Sequence, residues 1–519
     1  MGFDTSFTAK WDYHTVTTTT NNEIAGTYTV KTDEKAEEGK TVTLNAKSNL
    51  GFDWLGWYNG DNLMTSDLTY SFKMGTNNLI LTAKWALNEQ MANFTFTSTP
   101  TSLTITGLKD TTLTQIVIPD YATQIGNSAF YNCDSLTSVT IGDSVTSIGS
   151  SAFRGCSSLT SVTIGDSVTS IGNHAFYNCS RLTSVKIPDS VTSIGDSAFY
   201  GCTSLEELTL PFVGGSKNAT GYKSVFGYIF GYSTAYSSDT ISGATYQYPG
   251  PYSSYYYYHY YIPSSIKKIT VLGGSIGAYA FYNCSNLTSV TIGDSVTSIE
   301  IYAFRGCSGL NNVIIGDSVT SIEYEAFRGC NSLTSVKIPD SVTSIGNYAF
   351  NYCYRLVEVV NKSTHITATK GSDSNGYVGY YALAVYNSDD TFTSNLSIDN
   401  GFIVYTDGEE KILVNYIGSE TNLSIPSYIT KINKYAFYNC DSLTSVEIPD
   451  SVTSIGSSAF RGCSGLTSIT FEDTSTWYRT GNETNWKNKT GGTQTSLATP
   501  STNSAYFKSL YYGYYWYKL

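Results

Sequence analysis

Ten cysteines are the side chains most able to do chemistry in this 519-residue chain, and their spacing says what kind. Cys133, Cys156, Cys179 and Cys202 fall at a constant step of 23, as do Cys284, Cys307, Cys330 and Cys353, and then Cys440 and Cys463. Stacked coils with that step place identical side chains in parallel, about 4.7–4.9 Å apart if neighbouring strands carry them. Parallel Cβ vectors suit a buried thiol stack better than a disulfide, which needs a turned geometry. Free cysteine also packs as a small hydrophobe. In an exported protein such thiols are best tolerated in a reducing, anaerobic setting.

A second ladder is acidic: Asp120, Asp143, Asp166, Asp189, Asp294, Asp317, Asp340 and Asp450 share one position of the repeat. Stacked carboxylates repel unless solvated, hydrogen-bonded or bridged by cations. Asp before Ser at a turn usually accepts from local backbone N–H groups, and no Asp-rich loop has the oxygen density calcium wants. His14, His174, His259 and His365 are scattered, without metal-ligand spacing. The string GGSIG at Gly273–Gly277 lacks the helix that a hydrolase elbow around Ser275 would need next. No catalytic residue, cofactor or metal is expected, and the chain is not expected to be an enzyme.

Composition narrows the partners. The formal charge is −12 and only 14% of residues are charged, so Ser, Thr, Gly and Tyr carry much of the polarity. That argues against nucleic acid and against anionic membrane surfaces, both of which need a basic footprint. No apolar run is long enough for a membrane span. MGFDTSFTAKWDYH lacks the apolar core of a signal peptide. Because SFTAKW (Ser6–Trp11) echoes LTAKW (Leu81–Trp85), residues 1–11 are expected to be the remnant of a preceding unit, with any export signal upstream.

The elements that must position these ladders follow from periodicity. Residues 12–86 alternate short apolar-polar runs with Gly, Asn and Asp, a strand-and-turn pattern with Trp54, Trp57, Tyr58 and Trp85 for a core. Residues 87–101 read as a linker. From 102 to 471 the motif AFYNCDSLTSVTIGDSVTSIGSS (Ala129–Ser151) recurs, with Phe130, Cys133, Leu136, Val139, Ile141, Val145 and Ile148 directed inward. Outward positions on the main strand recur as Thr137, Ser138 and Thr140, then Thr160, Ser161 and Thr163. These are the candidate concave-face contacts. One coil buries too little to offset its ordering entropy, so stability must come from stacking. The expected fold class is mainly β, a solenoid of 23-residue coils between a small N-terminal β-domain and a C-terminal aromatic cap at 472–519.

The run FDWLGWYNGD (Phe52–Asp61) with TYSFKMGTNNLILTAKW (Thr69–Trp85) resembles the divergent internalin B-type repeat, a β-module of bacterial surface proteins. The motif A-F-x-x-C-x-x-L-x-x-V-x-I-x-D-S-V-T-S-I-G resembles the BspA-like (Treponema pallidum-type) leucine-rich repeat, with Glu300 and Glu323 replacing Gly and Leu208 replacing Val. The resemblance implies a cell-surface or secreted protein of a host-associated bacterium. Its expected partners are host extracellular-matrix or cell-surface proteins, other cells, or glycans. Near-identical coils leave open a structural stalk without a specific ligand.

Two insertions break the period, near 212–261 and 361–421. The first carries 13 tyrosines between Tyr222 and Tyr261, a Tyr/Ser/Gly composition typical of binding loops. Its candidate contacts are Tyr246, Tyr248, Tyr252, Tyr255, Tyr256, Tyr257, Tyr258, Tyr260 and Tyr261, against the alternative that they pack on the solenoid. The second holds Asp407-Gly408 between apolar-polar runs, which predicts a hairpin with a type I′ turn and a structural flap.

Overall fold

The computed structural model describes residues 13–30, 35–233, 244–247, 259–387, 393–473 and 476–518. Segment 1–11, expected to be a remnant, lies outside them. The chain divides into two compact units, Met1–Ala244 with Pro263–Ile266, and Thr245–Ile262 with Lys267–Leu519.

The first unit begins with two small sheets. Tyr13–Thr20, Leu79–Leu87, Phe52–Asn59 and Asn62–Thr65 form one with Lys35–Glu37, and Gly26–Val30, Thr41–Ser48 and Thr69–Lys73 form the other. Alternation does the folding: Val42, Leu44 and Ala46 point into the core around Trp57, while their strand neighbours face out. Trp54 lies edge-on to Trp85 with ring centroids 4.9 Å apart.

Residues 87–101 are not a linker. Phe94–Ser98 pairs antiparallel with Leu103–Leu108, the first strand of the solenoid. Ser98 Oγ donates to Leu50 O at 2.5 Å, Leu50 N donates to Thr99 O at 3.0 Å, and Phe52 packs on Phe96. Its Thr/Ser content resembles a linker, while its alternating Phe94 and Phe96 carry the strand.

Each coil then makes three ladders. Main strands (Gln115–Ile118, Ser138–Ile141, Ser161–Thr163, Ser184–Lys186 and Glu207–Leu210) pair in parallel, as do short strands such as Ser147–Ile148 and Ser170–Ile171. The third ladder joins the Ala-Phe corners: Phe130 N donates to Ala152 O at 2.7 Å and Asn132 N to Arg154 O at 2.8 Å. Along it the rings of Phe130, Phe153, Phe176 and Phe199 stack at 4.9, 5.2 and 5.3 Å. Fully burying one such ring is worth about 1.5–3 kcal/mol.

The second unit repeats this scheme with Phe281, Phe304, Phe327 and Phe350, again 5.0–5.2 Å apart. The predicted hairpin is present as Phe402–Asp407 and Glu410–Tyr416. Asp407 pairs with Glu410, so the turn is Gly408-Glu409, and of the two only Gly408 has positive φ (60°). That is the II′ pattern rather than I′. Nor is it a flap. Glu410–Tyr416 pairs in parallel with the short strand Lys431–Ile432, Leu413 and Val404 join the solenoid core, and Ile403 and Val414 pack beside Val357.

Residues 477–518 cover the last coil. Tyr515–Lys518 runs antiparallel to Ser454–Ile455, and Trp477 and Trp516 are fully buried. Asn503 Nδ2 donates to Ile469 O, Ser504 Oγ to Thr467 O and Lys508 Nζ to Leu466 O, satisfying the open edge of Ser468–Phe471. The longest α-helix among the described residues is Pro500–Ala505, and no helix is long and apolar enough to cross a membrane.

Candidate functional site

All ten cysteines are free, and nine are buried, with Cys440 half-buried. Seven thiols reach back one coil to the carbonyl of the preceding Ala-Phe corner: Cys156 Sγ donates to Phe130 O at 3.1 Å, Cys307 to Phe281 O at 3.0 Å and Cys463 to Phe437 O at 2.9 Å, for example. The thiol thus serves as a small apolar filler that also donates. Burial pushes the thiols of Cys156, Cys179, Cys202, Cys307, Cys330 and Cys463 up, to about 12 at Cys202 and Cys463, which removes the thiolate that redox or metal chemistry needs.

Two carboxylates of the exposed acidic ladder also bond within the chain. Asp143 Oδ1 accepts from the amide of Asp166, and Asp294 Oδ1 from that of Asp317, so the carboxylate caps the equivalent turn of the next coil rather than its own. Among the described residues no three His, Cys, Asp or Glu side chains converge on a metal-sized site. Ser275 sits within the strand Lys268–Ile276, paired with Ser289–Ile299, so its backbone is extended and makes no elbow.

Two further backbone signals lie at each corner. The residue two before Phe and the residue before Cys are both left-handed, with φ of 52–60° and 54–81°. Along the first unit Asn and Gly alternate at the second position because they interlock: a Cβ on Gly155 would come within 2.1 Å of Asn132 Oδ1, and Gly201 meets Asn178 in the same way. Asn and Gly taking turns before Cys133, Cys156, Cys179 and Cys202 is the readable sign of it.

On the outward strand face the six candidate hydroxyls divide. Thr137 Oγ1 donates to Thr114 O, Thr160 Oγ1 to Thr137 O and Ser161 Oγ to Ser138 Oγ, so these four are engaged along the ladder. Thr140 and Thr163 are exposed and register with Val117 and, on the strand beyond, with the Lys186 position. Behind them a shallow groove of about 580 Å³ runs over the short strands, lined by Ser147, Ser170 and Ser193 and closed by Lys223 and Tyr228.

The first insertion opens as core. Phe226–Phe230 is buried, Phe199 N donates to Ile229 O at 2.8 Å, and Phe230 continues the Phe stack from Phe199. Of the candidate tyrosines, Tyr260 is fully buried and offers no contact surface, and Tyr261 is half-buried. Tyr246 falls in the strand Ala244–Gln247. Tyr248, Tyr252, Tyr255, Tyr256, Tyr257 and Tyr258 lie outside the described residues. In the second unit Arg355, 5% exposed, donates to Tyr435 O and Tyr438 O, a bridge across the second insertion that the sequence did not signal.

The BspA type leucine rich repeat model matches six copies at residues 101–226, 274–373 and 415–484, more than half of the chain. The chain belongs to the BspA-type leucine-rich repeat family. Residues 16–89 of this BspA-type protein match the divergent InlB B-repeat domain. Among solved structures it is similar to the leucine rich repeat protein of T. pallidum, with 24% identity over 47% of this chain and 88% of that one and a TM-score of 0.27. It is also similar to a leucine rich cell surface protein from Faecalibacterium prausnitzii A2-165, with 26% identity over 73% and 75% and a TM-score of 0.23. No curated protein matches it in sequence.

Proposed function

We propose that this BspA-type protein is a cell-surface or secreted binding protein of a host-associated bacterium, without enzymatic activity. Its partners would be host extracellular-matrix or cell-surface proteins, other cells, or glycans. The supporting observation is the outward strand face, where exposed Val117, Thr140, Thr163 and Lys186 repeat at strand spacing on a scaffold whose inward positions are all core. Identical weak contacts repeated along a rigid row add as avidity. The test is binding of the full chain to immobilised matrix proteins, mucin and glycans, compared with a Thr140→Glu/Thr163→Glu/Lys186→Glu variant. Binding that the variant loses supports the proposal. Equal binding by both would move the site off this face. A chain that binds nothing would favour the stalk, which the engagement of Thr137 and Thr160 on the chain's own carbonyls also fits.

A further inference from the structure

The corners of the second unit carry an aromatic ridge that neither the repeat nor the core needs. Tyr302 meets Tyr324 edge-on (5.5 Å, 87°), and Tyr324 meets Tyr348 in the same way (6.1 Å, 89°). Tyr348 stacks on Tyr377 at 5.6 Å, which continues to Tyr380 at 5.2 Å. Tyr348 and Tyr352 are each 42% exposed and Tyr380 is 45% exposed.

The backbone shows that these rings are placed at a cost. Tyr302 and Tyr348 occupy the left-handed position that Ser128, Ser151 and Ser197 hold in the first unit, with φ of 59° and 58°. Tyr352, at φ 61°, sits where other coils have Asn or Gly. Bulky residues are rare there, and such strain concentrates at functional positions. Arginines lie against two of these rings, Arg305 over Tyr302 at 5.2 Å and Arg328 over Tyr352 at 4.9 Å, as Arg154 lies over Tyr177 in the first unit at 4.5 Å. Edge-to-face contacts in the second unit leave one face of a ring without a ring partner, and these phenols combine apolar faces with a polar tip.

Charge selects the partner. The guanidiniums beside the ridge, Arg305 and Arg328, both pair with Glu325 at 2.9 and 2.8 Å, and Glu325 is only 3% exposed. One carboxylate answers two guanidiniums, so this cluster keeps about one positive charge, on a chain of formal charge −12. The acidity of the chain as a whole disfavours polyanions, and the phenol faces favour a ligand with flat C–H faces and uncharged hydroxyls.

We propose that the ridge around Tyr348, Tyr352 and Tyr380 binds an uncharged polysaccharide, with pyranose faces stacked on the exposed phenol rings. This rests on the binding function above and gives it a second location and a ligand class.

The test is native electrophoresis of the full chain through gels containing a neutral β-glucan, arabinoxylan or galactomannan, with heparin and plain gels as references. At least one neutral polysaccharide should retard the chain. A Tyr348→Ser/Tyr352→Asn/Tyr380→Ser variant should lose at least about tenfold in affinity. The first two changes restore residue types that sibling coils carry at these backbone angles, so the variant is expected to fold, which a melting curve checks. Replacing all three by Phe keeps the rings and should keep most of the binding. The inference is overturned by retardation in heparin alone, by no neutral polysaccharide retarding the chain, or by the Ser/Asn/Ser variant running like the parent. Matrix or mucin binding that persists without neutral-polysaccharide binding would remove this inference and leave the broader function standing.

Discussion

A thiol in a coil of this protein is a hydrogen-bond donor before it is a reagent. Cys156 fills the space under the Phe stack and satisfies Phe130 O, and six other cysteines do the same one coil along from their partners. Burial raises the titration of Cys156, Cys179, Cys202, Cys307, Cys330 and Cys463, so each of these thiols is held neutral in the folded chain beyond the pH at which an unfolded one ionises. A raised acid contributes stability that is complete below its unfolded value and is lost as pH climbs through its folded value. The window therefore opens at about pH 8.5 and extends to about 12 at Cys202. The melting temperature should be nearly flat below about pH 8 and fall steadily above it. At the upper edge of the flat region a thiol reagent should label the native protein slowly and reach all ten cysteines only in denaturant. Rapid labelling of the folded chain would show that the ladder is open to solvent. The 23-residue step identified these residues as rungs because identical inward side chains must recur at one phase of the coil. It did not show that the sulfur donates, since the acceptor is a backbone carbonyl 26 residues away and carries no side-chain signature.

The same distinction separates the elements that could be read from those that could not. Strands and turns of the regular coils were legible because Leu, Val and Ile alternate with Ser and Thr. The insertions are less legible because what they supply is main chain: Ile229 O and Gly376 O receive the amides of Phe199 and Phe350, completing the corner ladder without an Ala-Phe motif. Glu410–Tyr416 likewise enters the short-strand sheet through its backbone. The end of the array depends on side chains reaching a bare edge, which makes it testable. Asn503 is fully buried and donates to both Ile469 O and Leu497 O. Asn503→Ala leaves two buried carbonyls short of a donor and should cost about 1–3 kcal/mol in urea unfolding. Trp516→Ala empties a buried indole site and should cost about 3–5 kcal/mol. Deleting 477–518 uncovers the strands Ser468–Phe471 and Ser454–Ile455, and an exposed parallel edge recruits other chains. The truncated protein should elute as oligomers, and a monomeric, fully stable truncation would show that the last coil needs no cover.

At the scale of the molecule the coil is both the unit of stability and the unit of display, and excising one separates the two roles. Removing 152–174 joins Ser151 to Ala175 and leaves every ladder in phase, with Phe130 now facing Phe176. Because coils interact with their neighbours only, this should lower stability by one coil's share and keep a cooperative fold. Removing 152–162 instead takes out about half a coil, puts the ladders out of phase so that inward residues turn outward, and should prevent folding. Circular dichroism and a melting curve check both. Binding then distinguishes the surfaces. If weak contacts summed along Thr140, Thr163 and Lys186 hold a matrix protein, losing the Thr163 rung must weaken that interaction while the fold persists. If neutral polysaccharide is held at Tyr348, Tyr352 and Tyr380, its affinity should not change, because those rings belong to the other unit. A shorter array that binds both ligands as before would mean that repetition in the first unit serves reach rather than recognition.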